Sequence, residues 1–346
     1  MGIARYRLQF KRPFGTAHGV RDGTDAVFIR LKWQGATGYG EATLPPYLER
    51  TAEEIERELR RPGIQVLVST WLKSFPGPFS DPDPGLSPPA RAALVMAVHD
   101  VLARSRGCSV AELLGVAGTG KKTPAMATIG LGTLEEIPAK LADLPMAQVL
   151  KVKLGGAEDA AILRAVMALD ARPLFLDANQ GWPSVDQAMR VLEATDVQRI
   201  VGIEQPFHKD RMAWSKELAE RVGVAVYADE RMQNAADVER YAGEYGGVNI
   251  KLVKCGGTDR AMEMIDRAQR HDLRIMLGCM SESSLGCSAM AQLRSMADLV
   301  DLDGPWLLGN DPFQGLAMGE DGLWIDGPEG QGVALALPIE FDPNGA

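Results

Sequence analysis

The first 45 residues alternate apolar and polar side chains. Tyr6, Leu8 and Phe10 are apolar, with Arg7 and Gln9 between them. The alternation returns over residues 27–33, and a glycine-rich stretch at 15–23 separates the two runs. A period of two is typical of half-buried strands, so we predict antiparallel strands joined by a loop over 15–23.

Two helices follow in the same part of the chain. Thr51 is a predicted N-cap, and Glu54 completes a capping box at the start of a helix over 51–61. A serine and two prolines at 87–89 predict the start of a long helix that ends at Gly107. Strands and helices segregated in this way predict a separate α+β lobe, to which we assign residues 1–120.

From residue 123 onward, short β-branched runs alternate with amphipathic helical runs. We predict eight strands, over residues 124–129, 148–153, 174–177, 200–204, 225–229, 248–251, 274–279 and 299–303. Eight strand–helix units predict an α/β fold with a barrel of parallel strands over residues 121–309. The alternative is an open, doubly wound sheet, which usually carries a glycine-rich dinucleotide turn after its first strand; this sequence has none. Residues 310–346 are rich in Gly, Pro and Asp, and we predict that this tail returns to the N-terminal lobe.

Composition excludes several classes of protein. The chain has 37 Lys and Arg against 46 Asp and Glu, so its net charge of −9 argues against nucleic-acid binding. It contains no apolar run near the 20 residues needed to span a bilayer and no secretory signal pattern. Its four cysteines have neither disulfide-framework nor zinc spacing, which predicts reduced thiols and a cytoplasmic location.

Charged residues stand at the carboxyl ends of most predicted barrel strands. One predicted strand–helix unit separates each charged residue from the next between Lys153 and Lys251, so these five should lie at one level on one end of the barrel. In barrel enzymes that end carries the active site. The residues are Lys153, Asp177, Glu204, Asp229, Lys251 and Asp303.

Three of these residues, Asp177, Glu204 and Asp229, lie on adjacent predicted strands. Converging carboxylates repel one another unless a cation lies between them, and Mg²⁺ prefers such oxygen ligands. We predict one Mg²⁺ held by these three residues. The alternative is a network of salt bridges with the neighbouring lysines.

Two lysines flank the predicted metal site. Lys153 ends the second strand and Lys251 the sixth, so they should face each other across an eight-stranded barrel. Two such groups suit acid and base chemistry on opposite faces of one carbon atom. Lys151 lies on the same side of the strand as Lys153, and its charge should make Lys153 a better base.

In combination these motifs resemble the enolase superfamily, and within it the muconate-lactonizing subgroup. They are KVK at 151–153, LDANQGW at 176–182, IEQP at 203–206, ADE at 228–230 and NIKLVKCGG at 249–257. The resemblance implies a (β/α)₇β barrel with an α+β capping domain, which the N-terminal region and the C-terminal tail form together. It also implies that Mg²⁺ holds the substrate carboxylate while a lysine base removes the adjacent proton.

Two further motifs resemble the dipeptide epimerases of this subgroup. The first is DLDGP at 301–305, which implies that Asp301 and Asp303 bind the ammonium group of a dipeptide. The second is GCMSESSLG at 278–286, which implies that Cys279 and Met280 contact the substrate.

The segment PFGTAHGVRDG at 13–23 resembles the loop that covers the substrate in this family. Arg21 falls where L-Ala-D/L-Glu epimerases use an arginine to hold the glutamate side chain. The forked guanidinium suits that contact with a carboxylate.

The sequence therefore predicts an isomerase that epimerises a dipeptide by 1,1-proton transfer alpha to its C-terminal carboxylate, with L-Ala-D/L-Glu as the first candidate. The alternatives in the same superfamily are N-succinylamino acid racemase, o-succinylbenzoate synthase and muconate cycloisomerase. A Schiff-base aldolase is the alternative from another class, and a barrel that only binds a ligand is a third. We expect a small-molecule partner, no nucleic acid and no membrane. A homo-oligomer is possible.

Overall fold

An antiparallel sheet opens the chain in the computed structural model, which describes residues 1–16, 19–44, 48–79, 85–116, 122–193 and 195–343. Its strands are β1 (Gly2–Thr16), β2 (Gly19–Trp33) and β3 (Ala36–Leu44), with β2 in the middle. The predicted loop over 15–23 is wrong, because β1 and β2 stay paired through Phe14↔Arg21 and Thr16↔Gly19.

The middle of β2 is buried on both faces, whereas the alternation predicted a half-buried strand. Ala26 and Phe28 pack into the core shared with the barrel, and Val27 and Ile29 pack into a second core beneath the N-terminal helices. The sheet is thus sandwiched, which explains why apolar Phe28 interrupts the polar positions of this strand.

Four α-helices follow the sheet among the described residues. They are α1 (Ala52–Leu59), α2 (Ile64–Ser74), α3 (Pro88–Ser105) and α4 (Val110–Leu113). The predicted capping box is confirmed: Thr51 Oγ1 accepts from the Glu54 N–H at 3.2 Å, and Glu54 accepts from the Thr51 N–H at 2.8 Å. Helix α3 is buried along its length because it lies between the antiparallel sheet and the rest of the molecule.

Eight parallel strands form the predicted barrel, paired in sequence order. They are β4 (Met126–Ile129), β5 (Val149–Lys153), β6 (Leu174–Asp177), β7 (Ile200–Glu204), β8 (Val226–Ala228), β9 (Gly247–Ile250), β10 (Arg274–Gly278) and β11 (Leu299–Asp301). A parallel bridge between Ala125 and Val300 joins the first and last strands, so the barrel is nearly closed. The fold prediction is confirmed, although several strands end before the charged residue assigned to them.

Short helices connect the barrel strands, and one more follows the last strand. They are α5 (Ile137–Ala142), α6 (Asp159–Leu169), α7 (Val185–Glu193), α8 (Met212–Val222), α9 (Ala235–Tyr241), α10 (Leu252–Cys255), α11 (Thr258–Arg270), α12 (Ser284–Ala291) and α13 (Gly304–Leu307). Helix α11 shows why they pack outside the barrel: Ala261, Met264, Ile265 and Ala268 form one buried stripe at helical spacing.

Large side chains fill the barrel interior below the charged strand ends. Phe175 and Tyr227 meet there edge to face, with ring centroids 5.1 Å apart. Glycine is needed at position 247, because a Cβ atom there would lie 2.5 Å from the Tyr227 ring. The filled interior leaves the carboxyl ends of the strands as the open end of the barrel.

The C-terminal tail, as far as residue 343, forms five short strands. They are β12 (Phe313–Gln314), β13 (Leu316–Gly319), β14 (Gly322–Ile325), β15 (Ala334–Leu335) and β16 (Asp342–Pro343). Strand β16 pairs with β1 through Gly2↔Pro343 and Ile3↔Asp342, so the tail ends on the N-terminal sheet. Across the described ranges, every helix is too short or too polar to cross a membrane.

Candidate active site

Lys151 lies among three carboxylates at the open end of the barrel. Its Nζ is 2.6 Å from Glu204 Oε2, 3.0 Å from Asp177 Oδ2 and 2.6 Å from Asp301 Oδ2. Burial favours the neutral amine, but the charges of Asp177, Asp301 and Glu204 outweigh it and raise the pKa of Lys151 well above its usual range. Lys151 is therefore a fixed positive charge.

Lys153 and Lys251 approach the same cavity from opposite sides of the barrel. Strand β5, which carries Lys153, stands four places from β9 in the strand order, and Lys251 directly follows β9. Lys153 Nζ donates to Asp177 Oδ2 at 2.6 Å, and Lys251 Nζ donates to Asp229 Oδ2 at 2.8 Å. Each ammonium is thus anchored on a carboxylate beside the cavity.

The cavity at this end of the barrel measures about 100 Å³. It brings together eight residues predicted from the sequence, namely Arg21, Lys151, Lys153, Lys251, Cys279, Met280, Asp301 and Asp303. The sequence did not identify Phe14, Thr16, Thr128, Asn179, Ser281 and Leu307, which complete its lining. Asp177, Glu204 and Asp229 are fully buried behind the lysines.

The three predicted metal ligands are engaged by nitrogen atoms. Glu204 accepts a 2.6 Å hydrogen bond from Asn249 Nδ2, while Asp177 and Asp229 bind lysine ammonium groups. Accordingly, no group of three or more His, Cys, Asp or Glu side chains within the described part of the chain is arranged to hold a metal ion. The arrangement seen is the salt-bridge network named as the alternative.

The chemistry of these donors nevertheless fits a divalent cation. Burial, followed by the negative charge of Asp177, raises the pKa of Glu204, so a cation bound beside it would stabilise its charged form. From the described residues, Glu204 Oε2 accepts no hydrogen bond of good geometry, although Lys151 Nζ lies close to it. Withdrawal of the lysine ammonium groups would free three adjacent carboxylates, a donor set that Mg²⁺ prefers.

Asp303 differs from its neighbour Asp301 in its partners. Asp301 pairs with Lys151, whereas within the described ranges Asp303 has no ammonium or guanidinium group at ion-pair distance. Its Oδ2 instead accepts a hydrogen bond from the Thr128 N–H. Burial and the charge of Asp301 raise the pKa of Asp303 to about 6. The cavity therefore contains a buried carboxylate that a ligand cation would stabilise.

Lys254 is a site residue that the sequence analysis missed. Its Nζ donates to the Asp229 backbone oxygen at 2.8 Å and to the Asn249 backbone oxygen at 3.1 Å, and it also pairs with the Asp229 carboxylate. The available signal was its position one helical turn after Lys251, within the same NIKLVKCGG motif.

Arg21 reaches the cavity from the N-terminal sheet. It pairs with Phe14 across β1 and β2, and its guanidinium carbon lies 5.6 Å from the centre of the Phe10 ring. Cys279 and Met280 lie at the end of β10, where the Cys279 N–H donates to the Asp301 backbone oxygen at 3.1 Å. Residues 17 and 18 of the predicted covering loop lie outside the described residues.

Both parts of the chain match known families. Residues 3–115 match the mandelate racemase/muconate lactonizing enzyme N-terminal domain, and residues 139–338 match the enolase C-terminal domain-like family. The chain belongs to the enolase C-terminal domain-like family. The predicted resemblance to the enolase superfamily is thereby confirmed.

Individual relatives cover nearly the whole chain. An L-Ala-D/L-Glu epimerase from Bacteroides thetaiotaomicron is 33% identical over 341 residues, which cover 95% of this chain and 86% of the relative. An L-Ala-D/L-amino acid epimerase from Maribacter is 33% identical over 324 residues, which cover 93% of this chain and 95% of the relative. Among solved structures, a dipeptide epimerase from Methylococcus capsulatus complexed with Mg and L-Arg-D-Lys is 27% identical, with a TM-score of 0.77. The match covers 96% of this chain and 98% of that structure.

Proposed function

We propose that this family member is an isomerase that epimerises dipeptides by moving the proton alpha to the C-terminal carboxylate. The observation that carries the proposal is the placement of Lys153 and Lys251 on opposite sides of one cavity. Epimerisation needs a group on each face of the carbon, because the proton leaves one face and returns to the other. The epimerases from Bacteroides thetaiotaomicron and Maribacter, to which the chain is similar, support the same activity.

In this mechanism one lysine acts as the base and the other as the acid. Lys153 in its neutral form removes the alpha proton from one face, and the Lys251 ammonium group delivers a proton to the other face. In the reverse reaction the two exchange roles. Their bonds to Asp177 and Asp229 orient the two Nζ atoms toward the cavity from opposite directions.

Negative charge develops on the substrate carboxylate as the proton leaves. Lys151 is held by three carboxylates beside the cavity, so its fixed positive charge stabilises that developing charge. We assign Asp177, Glu204 and Asp229 as the residues that would hold Mg²⁺; the Methylococcus capsulatus dipeptide epimerase, to which the chain is similar, is complexed with Mg and a dipeptide, which supports a role for the metal. A bound Mg²⁺ would supply further positive charge to the carboxylate.

Asp301 and Asp303 favour a substrate with a free amino group. A substrate ammonium group would give Asp303 the cationic partner that it lacks among the described residues. N-succinylamino acids, o-succinylbenzoate precursors and muconate carry no free alpha-amino group. Arg21 in turn lines the cavity as a cation, so we propose an acidic second residue, as in L-Ala-L-Glu.

The four cysteines support the cytoplasmic location that the sequence predicts. Cys108, Cys255, Cys279 and Cys287 are all free thiols. Reduced thiols are typical of cytosolic proteins, and we propose that location for the enzyme.

A proton-exchange assay tests the function. The enzyme with Mg²⁺ is incubated in D₂O with L-Ala-L-Glu and other dipeptides, and with N-succinyl amino acids as comparators. We expect loss of the alpha-proton NMR signal of the second residue together with formation of the L,D epimer. Faster exchange of the N-succinyl compounds would reject the dipeptide assignment.

A further inference from the structure

A second cavity adjoins the one at the open end of the barrel. It measures about 430 Å³, compared with about 100 Å³ for the first. The two share Phe14, Thr128, Asp303 and Leu307 as lining residues, so Asp303 stands at their boundary. The larger cavity extends away from the three lysines of the first cavity, because none of Lys151, Lys153 and Lys251 lines it.

Apolar side chains form much of the wall of the second cavity. Each is half-buried, so each presents part of its surface to the space inside. They come from β1, from the segment after α5 and from α13, and comprise Phe14, Leu144, Pro145, Trp306 and Leu307.

The cations at the edge of this cavity are already engaged. Arg12 pairs with Asp143 at 2.7 Å, and Lys140 pairs with Glu136 at 2.9 Å. Lys11 Nζ donates to the Trp306 backbone oxygen at 3.1 Å. Two of these three cations are therefore neutralised by carboxylates, and the third is held by a backbone carbonyl group.

We propose that this cavity receives the side chain of the first residue of the dipeptide, and that it selects a large apolar side chain such as that of Leu or Phe. The inference rests on the proposed function, in which Asp303 binds the substrate ammonium group. The first residue's side chain branches from the carbon that carries this ammonium group, and the cavity beyond Asp303 is the space next to it. The methyl group of an alanine first residue would leave most of the apolar wall exposed to water. A Leu or Phe side chain would cover that wall and remove it from water.

The test compares substrates that differ only in the first residue. We expect kcat/KM for L-Leu-L-Glu and L-Phe-L-Glu to exceed that for L-Ala-L-Glu by about tenfold or more, equivalent to about 1.4 kcal/mol. Leu144→Trp fills the cavity, which Lys151, Lys153 and Lys251 do not line, and should lower the ratio of L-Phe-L-Glu to L-Ala-L-Glu activity by about tenfold. Leu141→Trp is the matched control, because Leu141 is equally half-buried on α5 and does not line the cavity. In Leu141→Trp the ratio of L-Phe-L-Glu to L-Ala-L-Glu activity should stay within about twofold of the ratio in the parent enzyme.

The possible outcomes separate this inference from the proposed function. If dipeptides are epimerised but L-Ala-L-Glu is the best substrate, or if L-Asp-L-Glu is preferred, the apolar pocket is wrong while the function stands. An unchanged substrate ratio in Leu144→Trp would also overturn the pocket. If no dipeptide exchanges its alpha proton, both proposals fail.

Discussion

The Thr128 backbone N–H donates a hydrogen bond of 2.6 Å to Oδ2 of Asp303. Thr128 lies in the first barrel strand, and Asp303 follows the last, so this bond crosses the seam at which the barrel closes. It fixes the carboxylate that we assign to the substrate ammonium group. Closure of the barrel and placement of a substrate-binding group are therefore linked.

The titration of Asp303 predicts how substrate binding depends on pH. Its pKa of about 6 means that the carboxylate is charged above pH 6 and neutral below it. An ammonium group binds the charged form, so KM for L-Ala-L-Glu should rise as pH falls from 7 to 5. Steady-state kinetics across this range check the effect. Asp303→Asn should raise KM at pH 7 and flatten its pH dependence; an unchanged profile in that variant would remove Asp303 from the binding site.

The two-base arrangement predicts that each lysine is indispensable for epimerisation but not for exchange. Lys251→Ala should still exchange the alpha proton of the L,L-dipeptide with D₂O through Lys153. Lys153→Ala should still exchange that of the L,D-dipeptide through Lys251. Proton NMR reports exchange, and a chiral separation reports the change of configuration. Epimerisation that persists in either variant would contradict the mechanism, and the exposed Lys216→Ala serves as the control.

Metal removal should abolish activity. Burial raises the pKa of Glu204, so a cation bound beside the three buried carboxylates would stabilise the charged form of Glu204. We expect exhaustive chelation to stop turnover and added Mg²⁺ to restore it. Asp177→Asn, Glu204→Gln and Asp229→Asn should each lower kcat/KM by about 100-fold or more. The exposed Asp186→Asn is the control, and full activity after chelation would reject the metal site.

Arg21 should govern the preference for an acidic second residue. Loss of a charge-assisted contact costs on the order of 1.5–3 kcal/mol, so Arg21→Met should lower kcat/KM for L-Ala-L-Glu by about 10- to 100-fold. Activity toward L-Ala-L-Leu should fall less, because its second side chain has no carboxylate. Arg190→Met, at a polar position of α7, controls for loss of a positive charge. Equal losses for both dipeptides would mean that Arg21 does not contact the second residue.

His99 predicts a loss of stability in mild acid. Burial lowers its pKa to about 4, from 6.5 in the unfolded chain, and its Nδ1 lies 2.7 Å from Thr258 Oγ1 of the barrel. Below pH 6.5 the unfolded chain takes up a proton that folded His99 does not, so stability present at pH 7 is lost as pH falls toward 4. Between pH 7 and 5 the free energy of unfolding should fall by about 2 kcal/mol more in the parent than in His99→Gln. Urea titrations at the two pH values measure this difference, and the exposed His208→Gln should behave like the parent.

The barrel and the chemistry at its strand ends follow from local sequence. Asp177 and Glu204 are the last residues of their strands, as the pattern predicts, because the alternation of strand and helix sets the spacing between them. The order of parallel strands then places them side by side, with their Cα positions paired. For this reason the sequence alone predicts the carboxylates and the two opposed lysines, while the motifs around them carry the resemblance to the family.

Only the tertiary structure decided which atoms face one another across long sequence distances. The pattern of β2 does not reveal that Phe28 is covered by the barrel, and the motif around Lys151 does not reveal that its ammonium group lies among Asp177, Glu204 and Asp301. Thr128 and Asp303 are 175 positions apart in the chain, yet they form one hydrogen bond. Such contacts depend on how strands, helices and tail pack around the barrel, and packing is a property of all these surfaces together rather than of any local period.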